Sequence, residues 1–464
     1  MNYVLSEEVF RDTFVDKSNK FKHTPGKRFK LFPFTAQQEN KSPAVLDLNN
    51  VVGRFLSVIE GIEPEELDLS DLFKKIKQDT EIEPGKENLF NDIIRQMFFY
   101  SNGQVRPLNL KLLSQVSCNK PSEVKIADYL VDVLGDKQSM KTYVEKANQR
   151  LDDTCNVFEK LVLSKLESKT INETDSIPYF RITNAFQSVF QSDFEYILEN
   201  QNRVREYLIP LLEFYFFIYT AQTCMELDRF WDGDRNNISG LFFSLEWEKT
   251  SQSRKCFTEG WLRLQSSIER MFPHAVVLEI LNQTQEPTDP IDYISIRQLI
   301  GDSTDLDQYF AEQVDKLTEY YRSLITDCHE MTDLVKEELA VGHTASSIQY
   351  LFDSVKTQFD NTGRQARADN YADKFERYCH KFLKSRGRSG LMLNMSEETL
   401  IFMTKISIKN QEQMRLNDVF KEFERRGVFL DDLSKEQVAD YYERLNLIEK
   451  KSDSGDAKYV KRIL

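Results

Sequence analysis

Apolar residues recur with a helical period along most of this chain and change to a strand period only near its end. From Val51 to about 280, helical segments alternate with turn signals at Glu63-Pro64, Glu83-Pro84-Gly85, Lys120-Pro121 and Asp232-Gly233. Within that stretch Leu151, Cys155, Phe158, Val162 and Leu166 predict one helical face. The most apolar run, Tyr207 to Ala221, predicts a buried helix rather than a membrane span, since it contains Pro210 and Glu213 and is shorter than about 20 residues. Residues 282–305, with Pro287 and Pro290, read as a connection holding a short helix or strand.

A more regular pattern follows. Phe310, Val314, Leu317, Tyr321, Leu324, Cys328, Met331 and Val335 alternate spacings of four and three, the condition for a seam that faces one partner helix. Gly342 ends it. A second helical stretch carries Ile348, Leu351, Val355, Phe359, Phe375, Tyr378 and Phe382. An antiparallel helical hairpin over 306–385 is the simplest arrangement, and two helices of an ordinary bundle fit equally well.

The pattern is clearest over 392–464. Ser396 is an N-cap with Glu397 and Glu398 in the first turn, and Leu400, Met403, Thr404 and Ser407 share one side of that helix. A polar link, 409–413, leads to a second helix with Leu416, Val419, Phe420 and Phe423 at i, i+3, i+4 and i+7, ended by Arg425, Arg426 and Gly427. A third begins at Ser434, with Gln437 completing a capping box, and repeats the stripe with Val438, Tyr441, Tyr442 and Leu445. Then the period changes, and 447–451 and 457–463 read as two strands around the turn 452–456. Three helices closed by a β-hairpin predict a winged helix. The expected fold is therefore mainly α: a basic and aromatic arm over 1–50, a helical body over 51–305, the hairpin and the winged-helix domain.

The arm is set apart by chemistry. Lys17, Lys20, Lys22, Lys27, Arg28 and Lys30 alternate with Phe21, Phe29, Phe32 and Phe34 among Pro25, Gly26, Pro33 and Pro43. Such an arm can lie on a nucleic-acid strand by phosphate contact and stacking. Packing of its Phe residues on its own body or on a partner is the reading favoured over that one.

Length and charge narrow the rest. A chain of 464 residues has room for two or three domains, and its net charge of −14 argues against a surface coated for nucleic acid while permitting a local basic patch. Six scattered cysteines without a CxxC, and a charged N-terminus without a signal peptide, point to a cytoplasmic protein. Around the expected wing and third helix, Lys435, Arg444, Lys450, Lys451, Lys458, Lys461 and Arg462 are candidate DNA contacts. Lys381, Lys384, Arg386 and Arg388 add a flexible basic segment just upstream. Glu436, Asp440 and Glu443 suit the third helix poorly to phosphates. Wing-led contact with double-stranded DNA, without sequence specificity, and docking of another protein both fit these residues.

Catalytic motifs are missing. Gly26-Lys27 and Gly85-Lys86 lack the upstream glycine and following Ser or Thr of a P-loop. The run 232–236 starts like a calcium loop, but Asn237 and Phe243 stand where glycine and a bidentate Glu are needed. His23, His274, His329, His343 and His380 form no HExxH, no Gly-x-Ser-x-Gly is present, and Cys328-His329 and Cys379-His380 are adjacent pairs poorly shaped for one zinc ion. The expectation is a protein without catalytic residues, metal or cofactor, although a nuclease of scattered carboxylates would escape such a search.

The runs 393–398 (LNMSEE), 423–429 (FERRGVF) and 446–461 (NLIEKKSDSGDAKYVK) resemble the DNA phosphorothioation-dependent restriction protein DptG (DndG) family, over roughly the last seventy residues. The resemblance implies a subunit of an antiviral restriction complex acting on DNA that lacks a phosphorothioate mark, alongside ATPase or helicase partners. It transfers no catalytic residue. The alternative is a stand-alone winged-helix transcriptional regulator, which needs a third helix able to read base edges.

Overall fold

One helix, Gln201–Leu227, organises the molecule. Asn200 caps it, accepting from the backbone N–H groups of Asn202 and Arg203, and Pro210 sits inside it. It is long and apolar enough to cross a membrane, yet 83% of its most apolar window is buried by the rest of the chain. A helix apolar all round must be covered all round. The cover comes from the helices Leu48–Glu60, Leu110–Ser114, Pro121–Leu134, Gln187–Leu198 and Leu262–Glu269. The buried helix expected at Tyr207 to Ala221 is thus present and extends a turn or more beyond both ends.

The computed structural model describes residues 3–37, 46–65, 68–101, 103–170, 177–286, 288–450 and 458–463. It is mainly helical, with four small sheets among the described residues. A single apolar core runs from Tyr3 through the body to Val460. A second, smaller core of Leu72, Phe73, Ile76, Ile94, Phe98, Phe99, Val105, Leu112 and Val162 lies under the helices Leu69–Gln78, Glu87–Phe98 and Val157–Leu163. The face expected over 151–166 is broken at Cys155: the helix Lys137–Thr154 ends there, and Asn156 and Glu159 form a capping box that starts the next.

The arm is a wall of the body. It opens with the helix Glu7–Phe14, which places Phe10 and Phe14 in the core. Phe29, Phe32 and Phe34 are buried as well. Four successive backbone N–H groups, from Gly26, Lys27, Arg28 and Phe29, donate to the buried Glu279 carboxylate at 2.9, 3.2, 2.9 and 2.9 Å. Burial raises the Glu279 pKa above its usual range, against the opposing pull of those amides.

The antiparallel hairpin is not formed. Asp307, in the first turn of the helix Thr304–Leu324, accepts from the amides of His343 and Thr344, both at 2.8 Å, at the start of the helix His343–Asp360. Near the other end Tyr321 donates to Gln358 at 3.1 Å and Arg322 to Ser354 at 3.1 Å. The two helices therefore run parallel. The seam breaks after Leu324, and residues 325–342 return along the pair. Cys328 and Met331 still reach the core from this connection, whereas Val335 is 80% exposed.

At the C-terminus the helices Glu397–Ile408, Leu416–Glu424 and Asp432–Arg444 are followed by the strands Ile448–Lys450 and Lys458–Lys461. The polar link expected over 409–413 runs into a further strand, Gln413–Arg415, which pairs antiparallel with Lys458–Lys461, so that the last strand lies in the middle of three. Only that long-range pairing makes three residues a strand.

Candidate nucleic-acid interface

The predicted stripes anchor the C-terminal module. Leu400, Met403, Leu416, Val419, Phe420, Phe423, Val438 and Tyr442 are buried, Tyr441 is half-buried, and Leu445, 44% exposed, falls outside. Two parallel strand pairs join the module and its approach to the body, Leu241–Phe242 with Val428–Phe429 and Ser244–Leu245 with 394–395. Gly427 has a φ of +79° and lies so close to Ile218 that a Cβ there would approach to 2.9 Å, so it serves packing as well as the helix end.

Arg425 and Arg426, expected as two equivalent cations ending the second helix, have opposite fates. Arg425 stays outside and pairs with Glu422 at 2.7 Å. Arg426 is 1% exposed and donates from Nε and Nη2 to the two oxygens of Asp193 at 2.8 and 2.7 Å, and from Nη1 to Glu422 at 2.8 Å. Tyr215 Oη donates to Asp193 at 2.8 Å, and Lys409 Nζ lies 2.9 Å from it. Burial alone would raise the Glu422 pKa, but hydrogen bonds from Arg426 and Arg425 outweigh it and hold the carboxyl below its usual range.

The third helix leans on the body. Its N-cap is Asp431, three residues before the predicted Ser434, and Asp431 accepts from the Ser434 amide at 3.0 Å. The Ser434 hydroxyl is instead buried against Glu248 at 3.0 Å. Arg254 binds Asp431 through Nε at 3.0 Å, Glu248 at 3.2 Å and the Ser434 hydroxyl at 2.8 Å. Trp247 stacks on Tyr441 with ring centroids 4.8 Å apart. The flank left to solvent carries Asp432, Leu433, Glu436, Asp440 and Glu443.

Against this frame the candidate cations separate into three groups. The structure overturns the flexible basic segment: it lies in a β-hairpin, with Leu383–Ser385 antiparallel to Leu391–Met395. Arg386 in its turn points inward, donating to the carbonyl of Leu245 at 2.6 Å and to Asn394 at 3.0 Å, while Lys381 pairs with Glu213 and Lys384 with Glu246. Lys435 and Lys458 are paired too, with Glu424 at 3.1 Å and Glu443 at 2.9 Å. Arg388, Arg444, Lys461 and Arg462 are exposed, Arg444 lying over the Tyr441 ring at 5.5 Å. Lys450 has its backbone opposite Lys458, but its side chain and all of Lys451 lie outside the described residues, as does the turn 452–456.

Sequence reasoning missed Asp193, Glu248 and Arg254, which fix the module in place. Their partners lie far away in the chain, and no spacing announces them. Among the described residues no group of three or more His, Cys, Asp or Glu side chains is placed to hold a metal ion. The six cysteines are unpaired, five of them buried. No family model matches this chain, and no curated protein matches it.

Proposed function

We propose that this protein is a non-catalytic subunit of a phosphorothioation-dependent DNA restriction complex. In this reading its C-terminal module is a winged helix that touches double-stranded DNA through the wing, without sequence specificity. The helical body receives the ATPase or helicase partners. One observation supports the winged-helix assignment: leaving aside the short strand Val428–Phe429, which pairs with the body, the module runs helix, strand, helix, helix, strand, strand, with the last strand central in its sheet. The restriction role rests on the resemblance of the final runs to the DptG family.

Lys461 and Arg462, exposed at the base of the hairpin and without an ion pair among the described residues, support contact through this sheet. The third helix favours this over a groove-reading regulator, because its inner flank is held by Trp247 and Arg254 and its outer flank is acidic.

The test is a gel-shift salt titration of the full chain on unmodified and phosphorothioated duplexes, repeated with Lys461→Glu/Arg462→Glu. A steep salt dependence that the double variant flattens supports the wing. Unchanged binding by the variant removes Lys461 and Arg462 from the DNA surface, and unchanged binding by Lys450→Glu/Lys451→Glu/Lys458→Glu as well makes the module a protein-docking element.

A further inference from the structure

The arm presented two chemistries in sequence, aromatic and cationic, and the structure separates them. Every arm phenylalanine turns inward. Phe21 stacks on Phe14 with centroids 5.1 Å apart and meets the edge of Tyr321 at 5.0 Å, and the three later ones are buried. The lysines before Arg28 turn outward, whereas Lys30 is half-buried over the Tyr179 ring. Lys17, Lys20, Lys22 and Lys27 are exposed, and no ion pair engages them among the described residues.

The segment that carries them is held by local hydrogen bonds. Asp16 accepts through one carboxylate oxygen from the amides of Ser18 at 2.8 Å and Lys20 at 3.0 Å, closing a tight turn. Asn19 takes the left-handed conformation this turn requires, with φ of 58°. The Asp16 N–H donates to the Lys20 carbonyl at 2.9 Å, and Val15 bridges Phe21 antiparallel. On one side the turn is pinned by the Phe21 stack, on the other by the amides that clamp Glu279. Between residues 11 and 28 six cations face two carboxylates, Asp12 and Asp16, in a chain whose net charge is −14.

We infer that this N-terminal turn is a second phosphate-binding surface, which grips the backbone of duplex DNA through Lys17, Lys20 and Lys22. Duplex is the fitting partner because the rings that would stack unpaired bases are inside the protein. A single strand would lose its stacking contribution here, leaving only the ionic contact that a duplex with its denser charge supplies better. A preformed turn also spares the ordering cost that a loose basic tail meets on binding. The inference is independent of the wing, which belongs to a different part of the fold.

The test uses the full chain carrying Lys17→Gln/Lys20→Gln/Lys22→Gln, titrated by fluorescence anisotropy on a mixed-sequence duplex between about 50 and 200 mM salt. Three lost phosphate contacts reduce the log–log salt slope by about 2.7 and weaken binding at least tenfold at the low-salt end. A slope and affinity equal to the parent's overturn the inference, and so does a parent that binds no duplex at about 50 mM salt. Anionic phosphatidylserine vesicles form a parallel arm: lysine-dependent vesicle binding with unchanged duplex binding overturns it in favour of a lipid surface. The Lys461→Glu/Arg462→Glu variant separates the two sites. Loss only in the wing variant leaves the wing standing without the arm, and loss only in the lysine variant does the reverse.

Discussion

The N-terminal arm and the C-terminal module are the two stretches where sequence places cations densely, and they use them in opposite ways. In the arm the lysines remain in solvent while aromatic rings and backbone amides hold the chain. In the module Arg426 is buried against Asp193 and Lys435 and Lys458 are matched by glutamates, and just upstream Arg386 is turned into backbone carbonyls. A count of basic residues therefore ranks the module above the arm, while a count of unpaired ones narrows the gap. What differs is the local supply of acids. The arm's turn uses Asp16 on its own amides, whereas the module's helices carry Glu422, Glu424 and Glu443 within reach of their cations.

The sharpest way to break this contrast is at Arg426. Arg426→Ala leaves Asp193 buried with only Lys409 to balance it, so chemical denaturation should show a loss of about 3–5 kcal/mol. A loss below about 1 kcal/mol would mean that the module is held by apolar packing alone. In the arm the anchor is Phe21, which is half-buried. Phe21→Ala should lower stability by about 2 kcal/mol, while the triple lysine variant should leave it unchanged. Equal effects would show that the lysines also have a structural task.

An effect of pH comes next. Burial, aided by Arg364 and Arg367, pushes the His23 pKa down to about 3. Unfolded His titrates near about 6.5, so below that pH the unfolded chain binds a proton that the folded arm refuses. This contribution to stability is complete above about pH 6.5 and declines as pH falls toward 3. Denaturation midpoints of His23→Gln, compared with the parent at pH 7 and pH 5, should show a smaller acid-induced fall; parallel falls would place the sensitivity elsewhere. The smallest effect is expected at the pair Lys458–Glu443. Lys458→Ala should change stability by less than about 1 kcal/mol and flatten the salt dependence of DNA binding less than Lys461→Ala does. The reverse order would show that pairing does not silence a module cation.

Much of the local structure was legible. Ser396 caps its helix as predicted, accepting from the Thr399 amide at 3.1 Å, because a cap and its target lie three residues apart. The stripes of the last two module helices were legible for the same reason, and so was burial of the apolar run around Phe214 and Phe217. The same logic misled at Ser434, where a good capping sequence lost to Asp431 because Glu248 and Arg254 claim the serine hydroxyl. It misled again at Cys328 and Met331, which kept the seam's spacing after the helix had ended.

By itself, then, the sequence determined the mainly helical character, a few helix ends such as Ser396 and Gly427, and the apolar stripes of the C-terminal helices, since each depends on neighbours within about ten positions. Tertiary structure decided that the helices Thr304–Leu324 and His343–Asp360 run parallel, that Gln413–Arg415 is a strand, and which cations face water. Those outcomes depend on partners such as Asp193 for Arg426 and Glu246 for Lys384, more than a hundred residues away along the chain. A charge is available for binding only when no opposite charge is folded against it, and that is fixed by packing rather than by spacing.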